Sequence, residues 1–173
     1  MKKTTFAFIL IAALAGLLQC QEVVIQDTAP FSYAYLECRG SYQQIPAKIG
    51  EFMQQFFGQK LTPAGNFFGM YLNAPGQVKE EELQWRLGFP VAVDAAVAAP
   101  LQRGVCQATK IAVYLYVGPY DKVGDAYGKI FAFIEKNGYK AAGPTMEKYL
   151  DMNPMAVKPE DLKTEINIPV EKK

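Results

Sequence analysis

The chain has 173 residues, half of them hydrophobic, a length that suits one domain with a substantial core better than two independent ones. Its 18 basic and 17 acidic side chains nearly cancel, and taking Lys2 and Lys3 from the basic set leaves 16 against 17, so no electrostatic footprint for nucleic acid is present. Histidine is absent, and Cys20, Cys38 and Cys106 have no C-x-x-C spacing. This excludes histidine-based catalysis and a structural zinc site, and neither a metal nor a cofactor is expected.

In chain order, Lys2 and Lys3 precede an apolar run from Phe6 to Leu18 that is too short for the ~20 residues of a spanning helix. Residues 1–20 read as an export signal, which places the protein in the periplasm or cell envelope. Leu17-Leu18-Gln19-Cys20 sets Cys20 where bacterial lipoproteins carry the lipidated residue, although Gln19 departs from the small residue usual before it. Ordinary cleavage nearby and an uncleaved anchor remain alternatives, and membrane contact is expected only through a lipid on Cys20. In an oxidising envelope Cys38 and Cys106 either pair or stay as two buried thiols, and spacing leaves both open.

The remainder, 21–173, reads as a single domain written twice, over 22–92 and 103–171. Tyr35-Leu36-Glu37-Cys38-Arg39-Gly40-Ser41-Tyr42 returns as Tyr114-Leu115-Tyr116-Val117-Gly118-Pro119-Tyr120, with one residue dropped before the glycine. Gly40, Tyr42, Gly65, Tyr71 and Leu72 return 78 positions later as Gly118, Tyr120, Gly143, Tyr149 and Leu150. Leu83, Pro90 and Val91 return 79 positions later as Leu162, Pro169 and Val170. Each copy opens with strand alternation, Tyr33, Tyr35 and Glu37 against Ala34, Leu36 and Cys38, and in the repeat Ala112, Tyr114 and Tyr116 against Val113, Leu115 and Val117. A glycine turn then leads into a helix. Its buried stripe is Ile45, Ile49, Phe52, Met53 and Phe56 in the first copy and Val123, Tyr127, Ile130, Phe131 and Ile134 in the second. Two strands close each unit, over 67–72 and 84–91, then 145–150 and 164–170. The Ala- and Pro-rich stretch 92–102 reads as the crossover. The fold class is α+β: a pseudo-twofold duplication of a β-α-β-β unit, its strands joined in one antiparallel sheet, with two helices on one face and a ligand groove on the other.

The groups Tyr71-Leu72-Asn73-Ala74-Pro75-Gly76, Glu81-Glu82-Leu83-Gln84-Trp85, Gly88-Phe89-Pro90-Val91 and Gly118-Pro119-Tyr120-Asp121, together with Asn137-Gly138-Tyr139, Gly143-Pro144, Glu147-Lys148-Tyr149-Leu150 and 164–170, resemble the GyrI-like family over essentially the whole chain after the leader. That fold also serves as the effector-binding domain of bacterial transcription regulators. The resemblance implies a groove between the halves, lined by aromatics and carrying an acid that falls on Glu147. The export signal and the want of a DNA-binding segment speak against a regulator acting at a promoter. Haem-binding relatives of similar architecture are a poor match for a chain without histidine.

Alternation sorts the groove residues independently. If Phe68, Met70 and Leu72 face the helices, then Phe67, Gly69 and Tyr71 face the groove, and Glu147 and Tyr149 join them. Tyr33, Tyr35, Tyr114 and Tyr116 are assigned to the same surface; Trp85, alternating with Gln84 and Arg86, is read as either groove lining or core edge and is a weaker member. Phe52, Phe56, Phe131 and Ile134 are read as core only. Gly69 is the repeat partner of Glu147, so the twofold symmetry is broken at the groove centre. The expected ligand set is Glu147, Tyr149, Tyr71, Phe67, Tyr35, Tyr114, Tyr116 and Trp85, a carboxylate among rings that suits a small aromatic, cationic or amphipathic molecule, for sensing or sequestration. Two other functions stand beside it: hydrolysis of reactive small molecules with Glu147 as general base, as the resemblance implies for some relatives, and a groove that accepts a protein segment. Oligomeric state is not legible in the sequence.

Overall fold

The computed structural model describes residues 22–173, so the export signal and Cys20 lie outside the described residues. The first repeat contributes β1 (Val24–Asp27), β2 (Phe31–Arg39), α1 (Ile45–Gly58), β3 (Phe68–Tyr71) and β4 (Gln84–Pro90). After the crossover come β5 (Gln102–Cys106), β6 (Lys110–Val117), α2 (Tyr127–Lys136), β7 (Tyr139–Ala141), β8 (Thr145–Tyr149) and β9 (Lys163–Lys172). The strands join in a nine-stranded sheet in the order β1-β6-β9-β8-β3-β4-β2-β5, with β7 paired to β9. Every pairing is antiparallel. The duplicated α+β architecture is thus as expected. The short strands β1, β5 and β7 were not.

The duplication is visible in the backbone. Gly40 N–H donates to Leu83 O and Gly118 N–H to Leu162 O, both at 2.9 Å, where each chain turns from strand to helix with the glycine φ at +102° and +149°. Gln84 N–H donates to the Asn73 side chain at 3.0 Å, and Lys163 N–H to the Asp151 side chain at 2.6 Å. Tyr33 pairs with Pro90 as Ile111 pairs with Pro169. The register of 78 therefore runs back through the opening strand, and no residue is dropped before Gly118. Leu36 corresponds to Tyr114, not Tyr35 to Tyr114, so Tyr114 and Tyr116 are the mates of Leu36 and Cys38 and take their face of the sheet.

That parity decides what each face holds. Ala34, Leu36 and Cys38 pack with Trp85 and Leu87 beneath Phe52 and Phe56 of α1. Ala112, Tyr114, Ile166 and Ile168 pack beneath Ile130 and Ile134 of α2. Tyr33, Tyr35, Phe68, Met70 and Met146 form a cluster on the opposite face. The sheet is wider than the two helices can cover: a helix is about 10 Å across and a strand adds about 4.8 Å. Each helix sits over its own repeat, and the central pair β3–β8 is left open between them. The groove accordingly lies on the helix face, which corrects the expectation that it lies opposite, and Phe68 and Met70 point away from the helices. The far side is closed by ring contacts instead, Tyr33 lying 5.3 Å from Tyr35 and 5.5 Å from Phe68.

Cross-strand neighbours compensate one another between repeats. Cys38 lies opposite Trp85 in the first, and Tyr116 opposite Thr164 in the second. A small–large pair becomes a large–small pair in the same place. Cys38 and Cys106 are both free thiols. Cys106 pairs with Phe31, at the other end of β2 from Cys38, a separation of ~23 Å at ~3.3 Å per residue, far beyond disulfide reach.

Candidate functional site

The uncovered strip over β3 and β8 is a cavity of about 960 Å³, at the upper end of what small-molecule sites enclose. Its floor is Tyr71, Thr145, Glu147 and Tyr149. One wall comes from Tyr42, Ile45, Pro46 and the 72–77 turn, and the other from Tyr120, Val123, Tyr127 and Phe131. Gly69 and Glu147 face each other across β3–β8, so the pseudo-twofold axis passes between them. The glycine makes room for a neighbour: a Cβ there would stand 3.0 Å from the Tyr71 hydroxyl and 3.2 Å from its ring, so the phenol occupies that space and reaches across to the carboxylate.

Glu147 is only 4% exposed and is held by phenols. Tyr127 donates to Oε1 at 2.7 Å, while Tyr71 and Tyr149 donate to Oε2 at 3.3 and 3.4 Å, their own hydroxyls lying 3.2 Å apart. Burial pushes the Glu147 carboxyl above its ordinary range, and the three hydroxyls, which favour the ionised form, pull against that. Burial first and the charge of Glu147 next raise the phenols of Tyr127 and Tyr149, and burial raises Tyr71 too. Tyr42 is pushed up to about 12 by burial and then by Glu147. All of these phenols are protonated donors at any ordinary pH. Glu147 is therefore a buried carboxyl in a ring of neutral hydroxyls and aromatic faces; the exposed Asp121 is a second acid on the lining, and among the described residues that line the cavity none is Lys or Arg.

Of the residues chosen from sequence, the fold brings Glu147, Tyr71 and Tyr149 together on the cavity floor. Phe67 stands behind them, stacked on Tyr149 at 5.7 Å and in contact with Phe52 and Phe89. Trp85 is fully buried and does not line the cavity; it lies behind Tyr42, whose ring is edge-on at 5.3 Å, and opposite Tyr71 on the neighbouring strand. Tyr35 is on the opposite face, donating to the Gln102 side chain at 3.0 Å beneath the Arg86 guanidinium. Tyr114 is buried under α2, and Tyr116 donates to Pro119 O at 3.2 Å. Neither lines the cavity.

Sequence reasoning missed Tyr127, Phe131, Tyr42 and Tyr120. Tyr127 and Phe131 sit on the stripe that marks a buried helix face, but the stripe of α2 is wide enough to reach the gap between the helices, and Phe131 is 45% exposed there. The signal for Tyr42 and Tyr120 was present, since both recur at the same place after the turn glycine. The repeat mate of Tyr127 is Ile49, so its hydroxyl and the carboxylate it serves belong to the same repeat and have no counterpart in the other.

A duplicated α+β scaffold with an aromatic cavity around a buried carboxyl between its halves defines a small-molecule-binding module. The chain belongs to the GyrI-like small-molecule-binding domain family, whose model matches residues 21–171. The C-terminal domain of EcmrR has the same fold at a TM-score of 0.78 and 19% identity, over 89% of this chain and 99% of that one. The chain spans 59% of the EcmrR chain seen in a complex with DNA. SAV2435 bound to tetraphenylphosphonium is similar at a TM-score of 0.61 and 17% identity, over 87% and 94% of the two chains. A hydrolase from Listeria innocua gives 0.64 and 12% over 87% and 92%. Likeness at these identities is likeness of fold. Among curated proteins none matches the sequence significantly.

Proposed function

We propose that the protein captures a small aromatic or amphipathic cation in the cavity between its repeats, with Glu147 as counterion, and that it does so at the cell envelope, where the export signal over 1–20 would deliver it and Cys20 would anchor it. The observation that carries this reading is one buried carboxylate in a cavity of about 960 Å³ whose lining holds aromatic rings and no Lys or Arg. A cation entering it gains ring contacts on several sides, and at an effective dielectric of 20 a 4 Å approach to Glu147 is worth about 4 kcal/mol before desolvation. The raised carboxyl supports the same reading, because a bound cation relieves the cost of an ionised group that burial disfavours.

The test is calorimetric titration with tetraphenylphosphonium and with neutral triphenylphosphine oxide, on the wild type and Glu147→Gln. The cation is expected to lose about ten- to a hundredfold in affinity on substitution while the neutral compound changes less than twofold. Equal losses for both compounds, or none for the cation, refute the counterion role. Turnover of a reactive probe by the wild type, absent in Glu147→Gln, would instead assign Glu147 as a base.

A further inference from the structure

Beside the main cavity is a second recess of about 290 Å³, lined among others by Tyr42, Gln43, Pro75, Val78, Glu80 and Leu83. Tyr42, Gln43 and Pro75 line both spaces, so the two meet along that rim. Tyr42 is a fixed partition: its hydroxyl donates to Asn73 O at 2.8 Å, and its ring lies 5.3 Å edge-on from both Tyr71 and Trp85. The outer wall is a preformed turn in which Gln77 N–H donates to Ala74 O at 3.0 Å and the Gln77 side chain accepts from Ala74 N–H at 3.1 Å. In the second repeat the chain takes a different course, a short 3-10 turn over Pro154–Ala156.

The sizes assign the two spaces different tasks. The main cavity takes a whole ligand, whereas the recess is at the floor of the range for one and suits a portion. Its walls at Pro75, Val78, Leu83 and the Tyr42 ring are apolar, while the exposed Glu80 carboxylate stands at its rim. We propose that the recess receives the apolar arm of an elongated ligand whose cationic aromatic head rests at Glu147. The ligand class is then an amphiphilic cation with an alkyl or aryl arm, and Glu80 disfavours an arm that ends in an anion. This inference rests on the counterion reading of Glu147.

The experiment titrates the full chain with benzyltrimethylammonium and benzyldimethyloctylammonium, which share a head and differ in the arm, below the concentration at which the second forms micelles. Calorimetry gives affinity, and the fluorescence of Trp85, which touches Tyr42, gives an independent readout. The octyl compound is expected to bind the wild type at least tenfold more tightly. Val78→Trp, which fills the recess, should reduce that advantage below threefold and leave benzyltrimethylammonium unchanged. Val78→Ala, which enlarges it, should keep the advantage and shift the best arm in an octyl-to-dodecyl series to a longer chain. An octyl advantage that survives in Val78→Trp overturns the inference, while head binding that still depends on Glu147 leaves the counterion reading intact. If Val78→Trp lacks a cooperative melt, an unshifted optimum in Val78→Ala overturns it. Failure of both compounds to bind the wild type overturns both readings together.

Discussion

Replacing Tyr127 by Phe removes one hydroxyl and keeps the ring that packs at 6.1 Å from Phe131, so its cost isolates the 2.7 Å hydrogen bond to Glu147. When the carboxylate is ionised that bond is charge-assisted and worth about 1.5–3 kcal/mol. When it is protonated the bond is an ordinary neutral one, worth about 0.5–1.5 kcal/mol. The destabilisation must therefore depend on pH. Because burial raises the Glu147 carboxyl, the folded protein carries it protonated toward acid pH and ionised toward alkaline pH. The expected loss near pH 9 is about 2 kcal/mol, or roughly 4–8 °C in Tm for a domain of this size, falling to about half of that near pH 4. Urea unfolding of wild type and variant at the two pH values measures the difference directly, and titrations common to both proteins cancel. Equal losses at the two pH values, or a larger one in acid, would refute the assignment of Tyr127 as a donor to an ionised Glu147.

Cation affinity should be full above the raised pKa of Glu147 and fall as pH drops through it, with the fall absent in Glu147→Gln; titration of tetraphenylphosphonium across pH 4–9 checks this. Stability of the unliganded protein runs the other way. A raised folded pKa contributes stability that is fully present below the unfolded value and is lost as pH rises through the folded one, so Glu147→Gln should flatten that decline in a thermal melt series. Gly69→Ala forces the Tyr71 phenol off its present position, and calorimetry should show a three- to tenfold loss of cation affinity with a Tm change under about 3 °C. Trp85→Thr alone should cost about 3–5 kcal/mol and Cys38→Tyr alone about 1–3 kcal/mol, but the double variant, which installs the pair found in the second repeat, should cost at least 1 kcal/mol less than their sum in a double-mutant cycle. Peptide mapping without reductant should recover no fragment linking Cys38 to Cys106.

The repeat was legible because it rests on chain geometry: turn glycines, the prolines at 90 and 169 and the helical stripes recur at fixed intervals whatever the side chains do. The family resemblance put the groove acid on Glu147, and that register then gave its empty partner Gly69. What alternation cannot supply is sign. It divides Phe67, Gly69 and Tyr71 from Phe68 and Met70 without saying which set meets the helices, and that choice depends on how far two helices reach across the sheet. The same ambiguity misplaced Tyr35, and matching Tyr35 to Tyr114 by identity rather than by interval carried Tyr114 and Tyr116 with it. Trp85 stayed open between groove and core edge for a different reason, since only the three-dimensional pairing with Cys38 shows that it fills a vacancy in the core. The strands β1, β5 and β7, of three to five residues, are too short to display a period at all.

A pocket built astride a twofold axis ordinarily offers a guest two equivalent poses. Here the degeneracy is lifted by the buried Glu147 carboxyl on one side of the axis and the bare backbone of Gly69 on the other, with Tyr127 standing where the first repeat has Ile49. On the counterion reading proposed above, a charged guest would dock with its head toward the second repeat, and whatever trails from the head would fall to the first. The duplicated frame gives the cavity its breadth, and the two unmatched residues give it a direction.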